Sequence, residues 1–311
     1  MDRADLELVV ALGRTGSLTA AARHLHVAQP ALSRRLAALE RALGAELFQR
    51  GRHGATPTVV GRALIEGAST ALTAMERAEQ DAVDAAAGRA GRLRIGVIPT
   101  LGAVLLPPVL AAFRASHPGV RLELVARGNS AELRRRVALG ELDVAIAVLA
   151  PAAEAGVRVA ATGQQRFVVV APSDTPLRVR NGKVDRRQLL GVPVVALVEG
   201  EGLRQQLDSV YADLGAEANI AFETSEREML LPMVAAGLGI TLVPEGFARQ
   251  RSATGLRVNE LSPTLDRAVG AVVAPTTGLL VDAFVDALVE GGELRATGPA
   301  ARRRRSRAPA R

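Results

Sequence analysis

The chain contains no cysteine and no tryptophan, with one tyrosine and six phenylalanines among 311 residues. Without cysteine there is no disulfide, no thiolate metal site and no cysteine nucleophile, a composition that fits a reducing compartment. With so few aromatic rings, a ligand site built by stacking is not expected, although aliphatic side chains could still line a site for an aromatic acid. No charged-then-apolar leader precedes the first predicted helix, and no apolar run approaches the ~20 residues needed to span a bilayer. The expectation is a soluble cytoplasmic protein without a membrane partner. Signatures of catalysis are also missing: there is no G-x-S-x-G elbow, H-E-x-x-H pair or phosphate loop. Three of the four histidines, His24, His26 and His53, lie in the N-terminal region, and His117 sits in a "SHPGV" turn. Neither an enzyme nor a metal or cofactor site is expected.

What is present is an apolar content of 48%, enough for about two domains with real cores. The net charge is +7, but it is unevenly placed. Six arginines fall in the last ten residues, "RRRRSRAPAR", and without them the chain carries only +1. Within residues 1–62, nine arginines face five acids, a local balance of +4. Basic ends suit phosphate, and a near-neutral middle suits another task.

The opening "DRADLELVVALGRTG" reads as a helix capped by Asp2, with Leu6, Val9, Val10 and Gly13 on one face. Ser17 can cap a second, "LTAAARHL", whose alanines permit close packing. The turn "HVA" leads into a third, "QPALSRRLAALERAL", with Pro30 in its first turn, where a missing N–H costs nothing. At ~100° per residue, Leu32, Leu36, Leu39 and Leu43 form the predicted buried stripe. Gln29, Pro30, Ser33 and Arg34 then project outward from the helix start. Gln and Arg are the side chains that pair bidentately with adenine and guanine in a major groove, as in the second helix of a helix-turn-helix. A plain solvated face is the alternative.

"GAELFQRGRHGATPT" follows, apolar at Leu47 and Phe48 and then rich in Arg and Gly, as a two-stranded wing would be. Arg50, Arg52 and His53 near its tip could reach phosphate or the minor groove; an ordinary surface hairpin is the competing reading. A long helix then runs from a cap at Thr58 to a stop at Gly88. Its Leu64, Ala68, Ala71, Met75, Ala78, Ala82 and Ala85 are spaced 4, 3, 4, 3, 4, 3. This small-residue heptad seam predicts a dimerisation helix, unless the seam packs on the chain's own C-terminal domain. After "GRAGR" the pattern becomes alternating strands and helices, from "LRIGVIP" to "AVGAVVAP". That is an α/β region, expected to have largely parallel sheets and a ligand site at strand carboxyl ends.

At this point "GSLTAAARHLHVAQPALSRRLAALERALGAELFQR" and "TPTVVGRAL" closely resemble the LysR-type transcriptional regulators. "LRIGVIPTLGAVLLPPVLAAFRASHPGVRLEL" and "VAAGLGITLVPE" look like their effector domain. The resemblance covers everything except the arginine tail. It implies a fold that is α/β overall: an N-terminal all-α winged helix-turn-helix (1–58), a linker and dimerisation helix (59–88), and a two-subdomain α/β effector domain like type II periplasmic binding proteins (92–296). The first subdomain would be 92–161 with 268–296 and the second 162–267, joined by crossings near 161–164 and 266–268. Residues 297–311 would be a disordered basic tail, or else an added phosphate anchor. By resemblance, Gln29, Pro30, Ser33 and Arg34 face bases and phosphates, and Arg50, Arg52 and His53 contact backbone or minor groove. Ala28 stands where the family often has serine, which removes a cap and a phosphate contact. The matching effector positions are Thr100, Asn129, Ser130, Val148, Gly202 and Pro244. Thr100 and Ser130, beside helix N-termini, suit a carboxylate or other anion, though each could be a plain cap. The implied partners are double-stranded DNA carrying an inverted-repeat operator, a small-molecule effector, and further copies of the chain as a homodimer and then a homotetramer. A non-specific architectural DNA binder and an α/β enzyme fused to a DNA-binding domain are the alternatives.

Overall fold

The computed structural model describes residues 1–51, 54–86, 91–250 and 255–297, and these form two compact units, Met1–Arg92 with Ala138–Glu141 and Leu93–Val137 with Leu142 onward. The expectations for Arg52, His53, the stop at Gly88 and the arginine tail lie outside the described residues.

In the first unit, Asp2 caps α1 (Arg3–Thr15) through a reciprocal box with Asp5, each carboxylate accepting the other's backbone N–H at 3.0 and 2.8 Å. α1 ends at Gly16, whose φ of 62° is left-handed. Ser17 caps α2 (Leu18–His24), while α3 (Gln29–Leu43) starts at Ala28 without any side-chain cap. Leu32, Leu36 and Leu39 are buried among Leu8, Val9 and Leu12 of α1 and Ala21 and Ala22 of α2. Leu43 departs from the predicted stripe: it is 46% exposed, and the core at that end is filled by Leu47 and Phe48. The last turn of α3 has run past its supports.

Strands β1 (Phe48–Gly51) and β2 (Gly54–Pro57) pair antiparallel, and Thr58 caps α4 (Val59–Ala86) by accepting the Gly61 N–H at 3.0 Å. α4 lies close on α1: a Cβ at Gly13 would come within 2.7 Å of Ile65. The seam therefore divides. Ala68 is buried and Leu64 packs against the three-helix core, while Met75 is 41% exposed and Ala78 and Ala82 are exposed as well. The first half of α4 packs within the chain; the second half is tied to α1 by Arg3, whose guanidinium lies 2.8 Å from Glu79, and leaves Met75 and Val83 exposed.

The second unit follows the order β3 (Arg92–Val97), α5 (Pro99–Ser116), β4 (Arg121–Ala126), α6 (Ser130–Ala138), β5 (Val144–Val148), β6 (Arg158–Pro172), β7 (Val179–Arg180), β8 (Lys183–Asp185), β9 (Pro193–Leu197), α7 (Gly202–Asp213), β10 (Asn219–Thr224), α8 (Leu230–Ala235), β11 (Thr241–Pro244), α9 (Glu245–Gln250), β12 (Leu256–Val273), α10 (Leu279–Glu290) and β13 (Arg295–Ala296). The main sheet runs β11-β6-β12-β5-β3-β4, and β9 pairs with β10. β3 with β5 and β9 with β10 are parallel, but β6 with β12, β12 with β5 and β11 with β6 are antiparallel. The main sheet is thus mixed rather than largely parallel, while the β9–β10 pair is parallel as expected. A chain that crosses between two halves on β6 and returns on β12 must run both ways. β6 contributes Ala160 and Ala161 to one core and Phe167 to Ala171 to another; β12 likewise divides Val269, Ala271 and Val273 from Leu261 and Leu265.

α5 is long and apolar enough to cross a bilayer by length and composition alone. It contains Pro107 and Pro108 and buries Leu101, Leu105, Leu106, Val109 and Phe113 in the first of these cores. It is a core helix. At the other end, Thr297, assigned to the tail by sequence, is still held by the fold: its N–H and hydroxyl donate to Ala160 and Val159 carbonyls at 2.9 and 2.7 Å.

Candidate nucleic-acid interface and ligand cleft

α3 presents its polar face at its N-terminal end. Gln29, Pro30 and Arg34 are exposed and Ser33 is half-buried. Arg34 makes no hydrogen bond or ion pair among the described residues, whereas its neighbour Arg35 is tied to α1, with its Nε 2.6 Å from Asp5 and a second nitrogen on Asp2. The Asp5 N–H first, and then Arg35, hold the Asp2 carboxyl below its ordinary range. Two adjacent arginines thus have different tasks: Arg35 fixes α3 to α1, and Arg34 is left facing water. Arg50 lies on β1 opposite Ala55. Its side chain, with Arg52 and His53, falls outside the described residues.

In the second unit, a cavity of about 490 Å³ opens between the strand ends and helix starts. It brings together Thr100, Asn129, Ser130, Val148 and Gly202 of the predicted set. Pro244 is not among them: it lines a separate cavity of about 540 Å³, which Thr100 also borders. Thr100 sits inside the first turn of α5 rather than at its cap and is only 3% exposed. Asn129 does cap α6, accepting the N–H groups of Ala131 and Glu132 at 2.9 and 3.2 Å. Ser130 Oγ, in the cavity lining, accepts the Val148 N–H at 3.2 Å, which ties the end of β5 to the start of α6 and leaves the hydroxyl proton free for another acceptor.

The cavity's charged groups are Arg134, Glu201, Arg227 and Arg267, and no aromatic ring lines it. Arg134 is satisfied by a two-pronged pair with Glu154 at 2.6 and 3.0 Å and by the Val148 carbonyl at 2.6 Å. Arg267, on β12, donates to the Gln165 amide oxygen at 2.8 Å and lies over the Phe167 ring at 4.8 Å. No carboxylate lies within ion-pair distance of it among the described residues. Burial, and then the charge of Arg227, push Arg267 down to about 10. It stays protonated at neutral pH, and so carries a half-buried charge without a counter-ion. Arg227 has its Nε buried with no hydrogen-bond partner and its Nη2 3.8 Å from Glu201. Unpaired buried charge is costly, and an anion in the cavity would relieve it.

Neither Arg227 nor Arg267 stood out in the sequence, since they lie in no motif and come from distant segments. Only the placing of a crossing at 266–268 pointed near Arg267.

Residues 4–62 match the family described as "Bacterial regulatory helix-turn-helix protein, lysR family", and residues 86–293 the "LysR substrate binding domain". The chain belongs to the LysR family of transcriptional regulators. It is 31% identical over 267 residues to the regulator YcgK of Bacillus subtilis, covering 81% of this chain and 82% of that protein. It is 30% identical over 281 residues to a hydrogen peroxide-inducible genes activator of Haemophilus influenzae, covering 90% and 92%. Among solved structures, a full-length OxyR variant of Pseudomonas aeruginosa matches with a TM-score of 0.63 at 25% identity, covering 96% of this chain and 99% of that one. As a LysR-type protein it is a DNA-binding transcriptional regulator with a C-terminal effector domain. The helix-turn-helix match encloses α3, and the effector-domain match encloses the whole arginine-lined cavity.

Proposed function

We propose that this LysR-type regulator senses a small anion, a carboxylate in the first instance, in the cavity between β5, α5, α6 and α7, and transmits that binding to DNA. The half-buried Arg267, charged and without a carboxylate partner, carries this reading. The anion would lie against Arg267 and Arg227, with the Ser130 and Thr100 hydroxyls as further donors. A bound molecule changes the arrangement of the two halves only by its differential affinity for them. Through paired heads that difference becomes altered spacing and DNA bending. In the heads, Gln29 and Arg34 would read bases, Pro30 and Ser33 would approach bases and phosphates, and Arg50, Arg52 and His53 would meet backbone or minor groove. The outward half of α4 joins two copies, so that the reading helices meet two half-sites of an inverted repeat, and two dimers form the tetramer.

The protein works by binding rather than turnover, in the cytoplasm where its DNA is. A response through thiol oxidation is chemically closed to a chain without cysteine, whatever its peroxide-named relative does. Selection of sites from random DNA by the full-length protein, followed by thermal unfolding in sodium succinate at constant ionic strength, tests both halves of the proposal. An enriched inverted repeat together with saturable stabilisation is expected. Sequence-indifferent binding with a steep salt slope would replace this reading with that of an architectural DNA binder.

A further inference from the structure

Glu201 is the residue before α7, at its N-cap, yet its carboxylate caps nothing. It lies instead in the lining of the cavity. One oxygen lies 3.8 Å from Arg227 Nη2, and the same carboxylate reaches Gly128, so close that a Cβ on Gly128 would collide with it. Gly128 follows β4, on the side of the first core, while Glu201 and Arg227 lie with the second. The Glu201 carboxylate thus spans the cavity, with its side chain 34% exposed and that of Arg227 15% exposed. Gly202, beside it, faces the Gly128 carbonyl and the guanidinium of Arg267.

We propose that Glu201 is the cavity's own counter-ion: without effector it occupies Arg227, and an incoming carboxylate displaces it and takes Arg227 and Arg267 for itself. Glu201 therefore sets the concentration at which the regulator responds. The pair is loose, beyond hydrogen-bond length, so it can be exchanged for a shorter, charge-assisted one. The absence of a side chain at Gly128 makes room for the carboxylate in its resting position. This inference rests on the anion reading of the cavity, and the test separates the two.

The full-length protein is titrated with sodium succinate, with sodium chloride holding ionic strength constant, and the thermal midpoint gives an apparent Kd. Glu201→Gln keeps the shape and removes the competing charge, so Kd is expected to fall about three- to fivefold, the scale of a partly exposed ion pair. Gly128→Ala, which evicts the carboxylate by contact, is expected to act in the same direction. Arg227→Gln and Arg267→Gln are expected to abolish the saturable shift. If the two arginine variants lose succinate but Glu201→Gln and Gly128→Ala bind it as the parent does, or more weakly, the counter-ion role is overturned and the anion cavity stands. If the arginine variants titrate like the parent, or the parent shows no saturable shift, the anion cavity falls, and the role of Glu201 with it.

Discussion

Arg34 stands on the surface of α3 with no partner among the described residues, while Arg267 is half-buried on β12, held by an amide and a ring and depressed to about 10. The first costs the fold nothing because water solvates it. It is available to a partner that arrives with many negative charges and excludes that water, as a DNA groove does. The second carries a desolvation cost, which a single small anion can offset. On the proposed reading, the same side chain would serve a large polyanion when exposed and a small one when enclosed.

The largest expected effect breaks the exposed side of this contrast. A bidentate base contact is worth about 1–3 kcal/mol, and a dimer makes it twice, so Arg34→Ala should weaken binding to the selected site by about thirtyfold or more. Titration by fluorescence anisotropy measures this, with thermal unfolding and succinate stabilisation unchanged. Normal site binding by the variant would remove Arg34 from the reading surface.

Next is the surface proposed to pair the heads. Met75 is exposed on the outward half of α4, and Met75→Glu would bury a charge wherever two such helices meet. A loss of about 2–4 kcal/mol in dimerisation is expected, read by sedimentation; an unchanged dimer would place the interface elsewhere.

Arg267→Met addresses the enclosed side. The folded pKa of Arg267 is lowered relative to the unfolded chain, so the full cost of its burial is present below about pH 10 and is relieved as pH rises above that value. At neutral pH the variant should therefore be at least as stable as the parent, within about 1 kcal/mol after the lost stacking is counted, while succinate stabilisation disappears. Severe destabilisation would mean that the arginine holds the fold and not a ligand. The smallest effect is a control on the head: Thr58→Ala removes a helix cap and should cost about 1 kcal/mol of stability without moving the apparent Kd for succinate.

Legibility in the sequence follows the same division. The caps at Asp2, Ser17 and Thr58, and the outward face of α3, were readable because each depends on residues within a turn or two. The apolar runs that open and close the α/β region, "LRIGVIP" and "AVGAVVAP", lie on β3 and β12. The pairing of strands was not readable, because β6 and β12 find each other across about a hundred residues and their antiparallel sense follows from the return crossing. Leu43 was misplaced because a helical wheel does not say where the supporting helices end. Arg35 looked like Arg34 until Asp2 and Asp5, some thirty residues earlier, came to meet it. Arg227 and Arg267 are set by tertiary structure alone. What lay closest to hand in the sequence was the half of the molecule that faces DNA; the ligand's half had to be assembled.

The direct test joins the two halves in one titration: the bend of a selected inverted-repeat site by the full-length protein, measured by gel shift on permuted fragments across a succinate series at constant ionic strength. A bend that changes with the same midpoint as the thermal stabilisation is the expected result. A bend and affinity that stay fixed while the cavity fills would contradict the coupling between cavity and reading helix.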